Sequence, residues 1–330
     1  LVCGYLAQDN WHYGFAAAGF GMLFGLIQFK VTQDQLGDAG RLPPARKPDD
    51  GDYERKAWGG VVLFVAIITA FFVAGITGSL KIDALALAQS STYIIVALAF
   101  IYFGYVFLFG QLTSEERGRV IVIIVLFFAA ALFWSGFEQA GSSLNLFADR
   151  YTIRDFGDFV IPAAWFQSLN PVFIIVLAPF YSMMWIALAR RHLDPATPLK
   201  FAIGLIILGL GFAIMIGAAA LVADGQQVLP TWLFFTYLLH TMGELALSPV
   251  GLSSVTKLAP KRFVGQMMGV WFLAASLGNI IAGLLAGEFN ADAVEDMPRL
   301  YTQIVLTTVG SGAILALLTK PLKRLMGGAE

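Results

Sequence analysis

The chain has 330 residues, 58% of them hydrophobic and only 13% charged, with a net charge of −1 and a single cysteine; its mean hydropathy is +0.74. A water-soluble domain carries about 25% charged residues, so one aqueous core is excluded and lipid must cover much of this surface. The absence of a basic stripe argues against a nucleic-acid partner, and the lone Cys3 excludes an intrachain disulfide or a cysteine-based metal cluster.

In chain order, residues 1–8 read as the tail of a helix, followed by a turn at Asp9–Asn10. Leu1 stands where a start would have Met, inside an apolar stretch without a signal-peptide layout, so the expectation is a piece lacking its N-terminal part. Apolar runs of about 20 residues are long enough to cross the hydrocarbon layer as helices. They predict spans near residues 11–30, 57–79, 88–110, 119–147, 160–190, 199–222, 229–253, 264–287 and 300–320. No run alternates in polarity, so strands are not expected. The predicted fold class is an all-α polytopic membrane protein.

Residues 31–56 form the one long polar connection, rich in Pro, Gly and mixed charge, and read as a solvated linker between two helical bodies. Let the loops after the first, third, fifth, seventh and ninth spans face the cytoplasm. Seventeen basic residues, from Lys30 to Arg324, then lie inside, and only Lys81, Arg150, Arg154 and Arg299 lie outside. That bias fixes an orientation with a cytoplasmic C-terminus and supports the span count. Gly21-x-x-x-Gly25 and Gly283-x-x-x-Gly287 suit close helix packing. No dinucleotide, phosphate-loop, HExxH or GxSxG pattern is present.

Of 22 acidic residues, only Glu138 and Glu244 fall well inside predicted spans, with Glu288 at a helix end. A charge at the bilayer centre costs about 3 kcal/mol on insertion scales, so such residues usually face a cavity and have a task. The alternative for each is a protonated acid tied structurally to a neighbouring helix. Glu138 is followed by Gln139, Gly141, Ser142 and Ser143, small or polar residues that let a helix bend. A buried carboxyl that gains and loses a proton as a cation approaches suits a proton-driven transporter. Glu244 lies in "LLHTMGELALSPVGLSS", with His240 one turn earlier and Ser248 and Pro249 after it. Pro249 frees a helical carbonyl and permits a kink. An ionised Glu244 would attract a substrate ammonium, whereas His240 reads equally as a packed neighbour. Asn170-Pro171 marks another polar break. Asn170 can hold a carboxylate or amide through its NH₂ group, or merely bond a helix bend. Trp271 either walls a pocket or packs against a helix. A midplane pocket in a helical bundle is where secondary transporters bind substrate. An enzyme would need a nucleophile–base pair or metal ligands converging in the bilayer, and a passive scaffold would not need two buried glutamates.

The stretches "CGYLAQDNWHYGFAAAGFGMLFGL", "FWSGFEQAGSSLNLFAD", "WFQSLNPVFIIVLAPF" and "GELALSPVGLSSVTKLAPKRFVGQMMGVWFLAASLGN" occur in order across nearly the whole chain. They resemble the proton-dependent oligopeptide transporters of the major facilitator superfamily. The resemblance implies four parts. Residues 1–30 are the end of helix 5 and helix 6 of an N-terminal bundle, and 31–56 the cytoplasmic linker. Residues 57–118 are an inserted helix pair, and 119–330 the C-terminal six-helix bundle, helices 7–12. It also implies that Glu138 takes part in proton coupling with a lysine of the N-terminal bundle. Glu244 would meet the peptide amino group, Asn170 the peptide backbone, and Trp271 would line the pocket, with Gln139, His240, Ser248 and Pro249 in gating or support. The ExxER motif of helix 1 and the coupling lysine belong to helices outside this sequence. The implied function is proton-coupled symport of di- and tripeptides by alternating access, or transport of another small solute on the same fold. The expected setting is a bacterial inner membrane, with a monomeric protein, peptides and protons as partners, and no cofactor or metal.

Overall fold

The computed structural model describes residues 2–37, 50–81, 83–157, 159–287 and 296–328. Its helices run in chain order as α1 (Val2–Asp9), α2 (Trp11–Thr32), α3 (Asp50–Ile76), α4 (Ala84–Phe109), α5 (Ser114–Phe137), α6 (Ser143–Tyr151), α7 (Ala164–Gln167), α8 (Leu169–Arg190), α9 (Thr197–Ala223), α10 (Thr231–Leu258), α11 (Val264–Gly287), α12 (Met297–Leu317) and α13 (Thr319–Leu325). Short 3₁₀ turns occupy Gln33–Leu36, Glu138–Gly141 and Lys261–Phe263. Among the described residues there is no strand, only isolated bridges pairing Thr152 with Val228 and Asp155 with Val160.

Eight helical stretches are long and apolar enough to cross a membrane. α10 falls outside those eight although its 28 residues make it about 42 Å long. Its His240, Thr241, Glu244 and Ser248 dilute the apolar run. Helix starts follow local chemistry. α5 opens on a capping box in which the Thr113 hydroxyl accepts from the Glu116 amide at 3.2 Å. The Glu116 carboxylate in turn accepts from the Thr113 amide at 2.9 Å. At α4, the Asp83 carboxylate accepts from the amides of Leu85 and Ala86.

Several boundaries depart from those read in the sequence. The described ends of the 31–56 stretch are helical: Val31 and Thr32 close α2, and Asp50–Lys56 open α3. The prolines that argued for coil, Pro43, Pro44 and Pro48, all fall outside the described residues, as do Arg41, Arg46, Lys47 and Glu288. The 119–147 span is interrupted at Glu138–Ser142. The 160–190 span begins only at Ala164, beyond Pro162, and breaks again at Ser168. Asn170 and Pro171 therefore sit in the first turn of α8, where a proline costs no helical hydrogen bond. α10 continues as one helix through Pro249.

The packing centre is α9, which lies against α5, α10 and α12. From Phe201 to Val222 it carries no ionisable, amide or hydroxyl side chain. Phe201, Leu205, Leu208, Phe212 and Met215 are fully buried along it. α11 packs on α5 and on α4, where Ala99, Phe103 and Val106 are buried. The expected inserted pair is thus asymmetric, since no residue of the α3 stretch Arg55–Ile76 is buried.

Close approach is achieved by glycines other than those in the two spaced motifs. A Cβ on Gly21, Gly25, Gly283 or Gly287 would meet nothing within 4 Å. α9 and α10 instead cross backbone to backbone. A Cβ on Gly204 would stand 2.9 Å from the Gly243 carbonyl oxygen, and one on Gly243 would stand 2.8 Å from that of Gly204. Gly204→Val should therefore force the helices apart and destabilise the protein by about 1–3 kcal/mol. The thermal midpoint of the detergent-solubilised protein should fall by several degrees, while Gly283→Ala should leave it unchanged. An unchanged midpoint for Gly204→Val would refute the glycine crossing.

Candidate functional site

Two breaks and one long helix build the polar region. On α10, Thr241 and Glu244 are three residues apart and share a face. On α8, the break at Ser168 brings Asn170 to the same level. Its Nδ2 donates to Glu244 Oε2 at 2.8 Å and to Thr241 Oγ1 at 3.1 Å. Thr241 in turn donates to the Tyr237 carbonyl at 2.8 Å. Asn170 and Glu244 are both half-buried, so the carboxylate is held from the neighbouring helix yet keeps free acceptor capacity. A hydrogen bond to a charged group contributes about 1.5–3 kcal/mol.

Glu138 follows the last residue of α5 and opens the 3₁₀ turn Glu138–Gly141. Its side chain is half-buried, and its charge reaches Glu244. Neither glutamate has an ion-pair partner among the described residues. Beside it, Gln139 is fully buried. Its Nε2 donates to the Ala282 carbonyl of α11 at 3.0 Å and its Oε1 accepts from Ser143 Oγ at 2.7 Å.

The remaining predicted residues lie elsewhere. His240 is 1% exposed, with its ring 4.6 Å from that of Phe212 and packed against Gly211. Neither ring nitrogen has a hydrogen-bond partner among the described residues, though the Leu208 carbonyl lies near it. This is the packed-neighbour arrangement. Trp271 is also buried, crossing Phe201 edge to face with ring centres 6.0 Å apart, and a Cβ on Gly251 would overlap its ring. Ser248 is half-buried. Pro249 lines a cavity of ≈ 490 Å³ between α8, α9 and α10, with Leu245, Tyr181, Trp185, Lys200 and Lys257. Lys200 is paired there with Asp194 at 2.8 Å and lies over the Trp185 ring. Thr241 and Tyr237 were not foreseen, and Ser143 was read only as a residue that lets the helix bend. The only sequence signal was the spacing of Thr241 from Glu244.

No group of three or more His, Cys, Asp or Glu that could hold a metal occurs among the described residues. The arrangement can bind a cationic group at Glu244, orient it through Asn170, and place a second proton-binding carboxyl nearby.

Fold and site together define a polytopic helical membrane protein with two carboxylates inside its membrane-length helical region. A profile of the POT family matches residues 1–300, and the chain belongs to that family. It is 39% identical over 338 residues to the "Peptide transporter YePEPT" of Yersinia enterocolitica, covering 100% of this chain and 66% of that protein. It is 33% identical to a "Di-/tripeptide transporter" of Lactococcus lactis, with 99% and 66% covered. A crystal structure of a variant of the peptide transporter POT in complex with alafosfalin superposes with a TM-score of 0.82 at 34% identity, covering 99% of this chain and 64% of that one. The chain thus spans slightly under two thirds of the relatives it matches. The family is one of transporters embedded in the membrane.

The Trp271–Gly251 contact yields a direct check. Gly251→Ala should lower the thermal midpoint by forcing the indole aside, and Trp271→Leu should lower it by opening a cavity, at about 2–4 kcal/mol. Because both changes act on one contact, the double variant should be less destabilised than the sum. Simple additivity would show that the two residues do not press on each other.

Proposed function

We propose that this chain provides the substrate-reading and proton-binding part of a symporter that couples proton entry to uptake of di- and tripeptides by alternating access. The observation that carries the reading is the Asn170–Glu244 hydrogen bond across α8 and α10, with Glu138 within electrostatic reach. Two carboxyls are costly to keep in a bilayer. Here they share one region at a helix break, the placement typical of secondary-transporter sites. Glu244 receives the peptide ammonium. Asn170, already donating to that carboxylate, passes its amide to the peptide backbone when substrate enters. Glu138 binds the coupling proton and exchanges it against a lysine of the N-terminal bundle. Protons are the only coupling species, and no cofactor takes part. In this reading the C-terminus faces the cytoplasm, which the seventeen-to-four distribution of basic residues supports, and the membrane is a bacterial inner membrane. The protein acts as a monomer.

An ammonium about 4 Å from a carboxylate gains roughly 4 kcal/mol at an effective dielectric near 20, before desolvation is subtracted. In the full-length protein, Glu244→Gln should therefore raise the apparent KM for free dipeptides at least tenfold, by about 1.4 kcal/mol. N-acetylated dipeptides should already be poor substrates of the wild type. Equal uptake of free and acetylated dipeptides would remove the role given to Glu244.

Glu138→Gln fixes the side chain near its neutral form. Reconstituted in vesicles, the full-length variant should fail to concentrate peptide against its gradient when a proton gradient is imposed. It should still exchange labelled for unlabelled peptide, since exchange needs no net proton movement. Retained uphill uptake would make Glu138 a structural tie.

A further inference from the structure

The geometry points to Gln139 as the positioning residue for Glu138: its amide locks the 3₁₀ turn that follows α5 to α11, so that the adjacent glutamate is turned away from α11. This deepens the proposed coupling role and rests on it.

A carboxamide has two N–H donors and an oxygen that accepts twice. Both ends of the Gln139 amide are bonded, and Ser142 Oγ, which lies between Oε1 and the Gln139 carbonyl, has one proton to share between them. Nε2 donates to the Ser135 carbonyl at 3.4 Å and to the Ala282 carbonyl at 3.0 Å. Oε1 accepts from Ser143 Oγ at 2.7 Å and from Ser142 Oγ at 3.3 Å. The side chain has no exposed surface. One amide thus joins the last turn of α5, the start of α6 and the backbone of α11.

The turn needs such a tie. Breaking a helix inside a membrane frees backbone carbonyls that lipid cannot satisfy. Tyr237 OH, from α10, donates to the Ala140 carbonyl at 3.3 Å, so α10 and α11 grip the turn from two sides. Below it, α5 and α11 are already pressed together, because a Cβ on Gly278 would collide with Trp134 and the Ala131 carbonyl. In a 3₁₀ turn successive residues diverge by about 120°. Fixing Gln139 toward α11 therefore fixes Glu138 away from it. The titratable groups around the turn are Glu244, His240 and Tyr237 on α10 and Tyr301 on α12, beside Ser143. α11 contributes none.

The test uses the full-length protein in vesicles with Gln139→Met, which keeps length but loses every polar contact, and Ser143→Ala, which removes one. Two quantities are read: the ratio of gradient-driven uptake to exchange, and the hydrogen exchange of the 138–143 amides. A net hydrogen bond of about 1 kcal/mol corresponds to roughly a fivefold change. Ser143→Ala should lower the ratio and speed amide exchange about fivefold, and Gln139→Met more strongly, with peptide exchange preserved. Wild-type values of both quantities in either variant would overturn the proposal. If Gln139→Met fails to fold, Ser143→Ala decides alone. Should Glu138→Gln itself leave driven uptake intact, the coupling role of Glu138 fails. The amide exchange then still decides whether Gln139 holds the turn.

Discussion

The structure depends on one constraint: a polar group inside the hydrocarbon layer must find its partner within the protein, because lipid offers none. The described core meets it by separation. α9 removes itself from the problem by carrying no polar side chain between Phe201 and Val222, and it approaches α10 through bare backbone at Gly204 and Gly243. That contact fixes α10 close to the bundle centre while leaving another face for Thr241 and Glu244. The two interrupted spans, at Glu138–Ser142 and at Ser168, then bring Glu138 and Asn170 to the level of that face. Tyr237 and Gln139 absorb backbone groups around the first of these breaks.

The number and order of helices were legible because apolar runs of bilayer length leave few readings. The breaks were only half legible. Gly141, Ser142 and Ser143 marked a weak point, but nothing in their spacing said that the helix would stop at Phe137 and restart at Ser143. Proline was a poor guide in both directions. Pro249 sits in an unbroken α10, while the break before Asn170 falls at Ser168, ahead of Pro171.

Among the described residues, neither GxxxG motif has a neighbour within 4 Å of its glycine Cβ positions. A GxxxG spacing says that a helix can be approached, not that a neighbour stands there. Gly204 and Gly243, which do make the close crossing, have Leu at the fourth position after each and carry no such signature. Among the candidate site residues, Glu138, Glu244 and Asn170 stood out in the sequence because intramembrane polar groups are few. Thr241 escaped because threonine is common in helices and its partner lies on another one. Whether a lone Trp or His packs or serves was undecidable from spacing. Phe201, Gly251, Gly211 and Phe212, which surround Trp271 and His240, come from other segments of the chain.

The apolar spine formed by α9 also bears on how such a protein can change over generations. Contacts that maintain the bundle and the residues proposed to meet a solute are drawn from different helices or different faces. Asn170, Thr241 and Glu244 bond to one another and to the Tyr237 carbonyl, and none of those bonds joins α9 to α12. Selectivity can therefore drift by single substitutions on a frame that does not have to be reinvented each time. The spine itself tolerates little where it is buried, as a bulkier newcomer at Gly204, Gly209 or Gly211 would meet packed neighbours. Variation among descendants should accordingly be uneven, permissive around the carboxylates and severe along one silent helix.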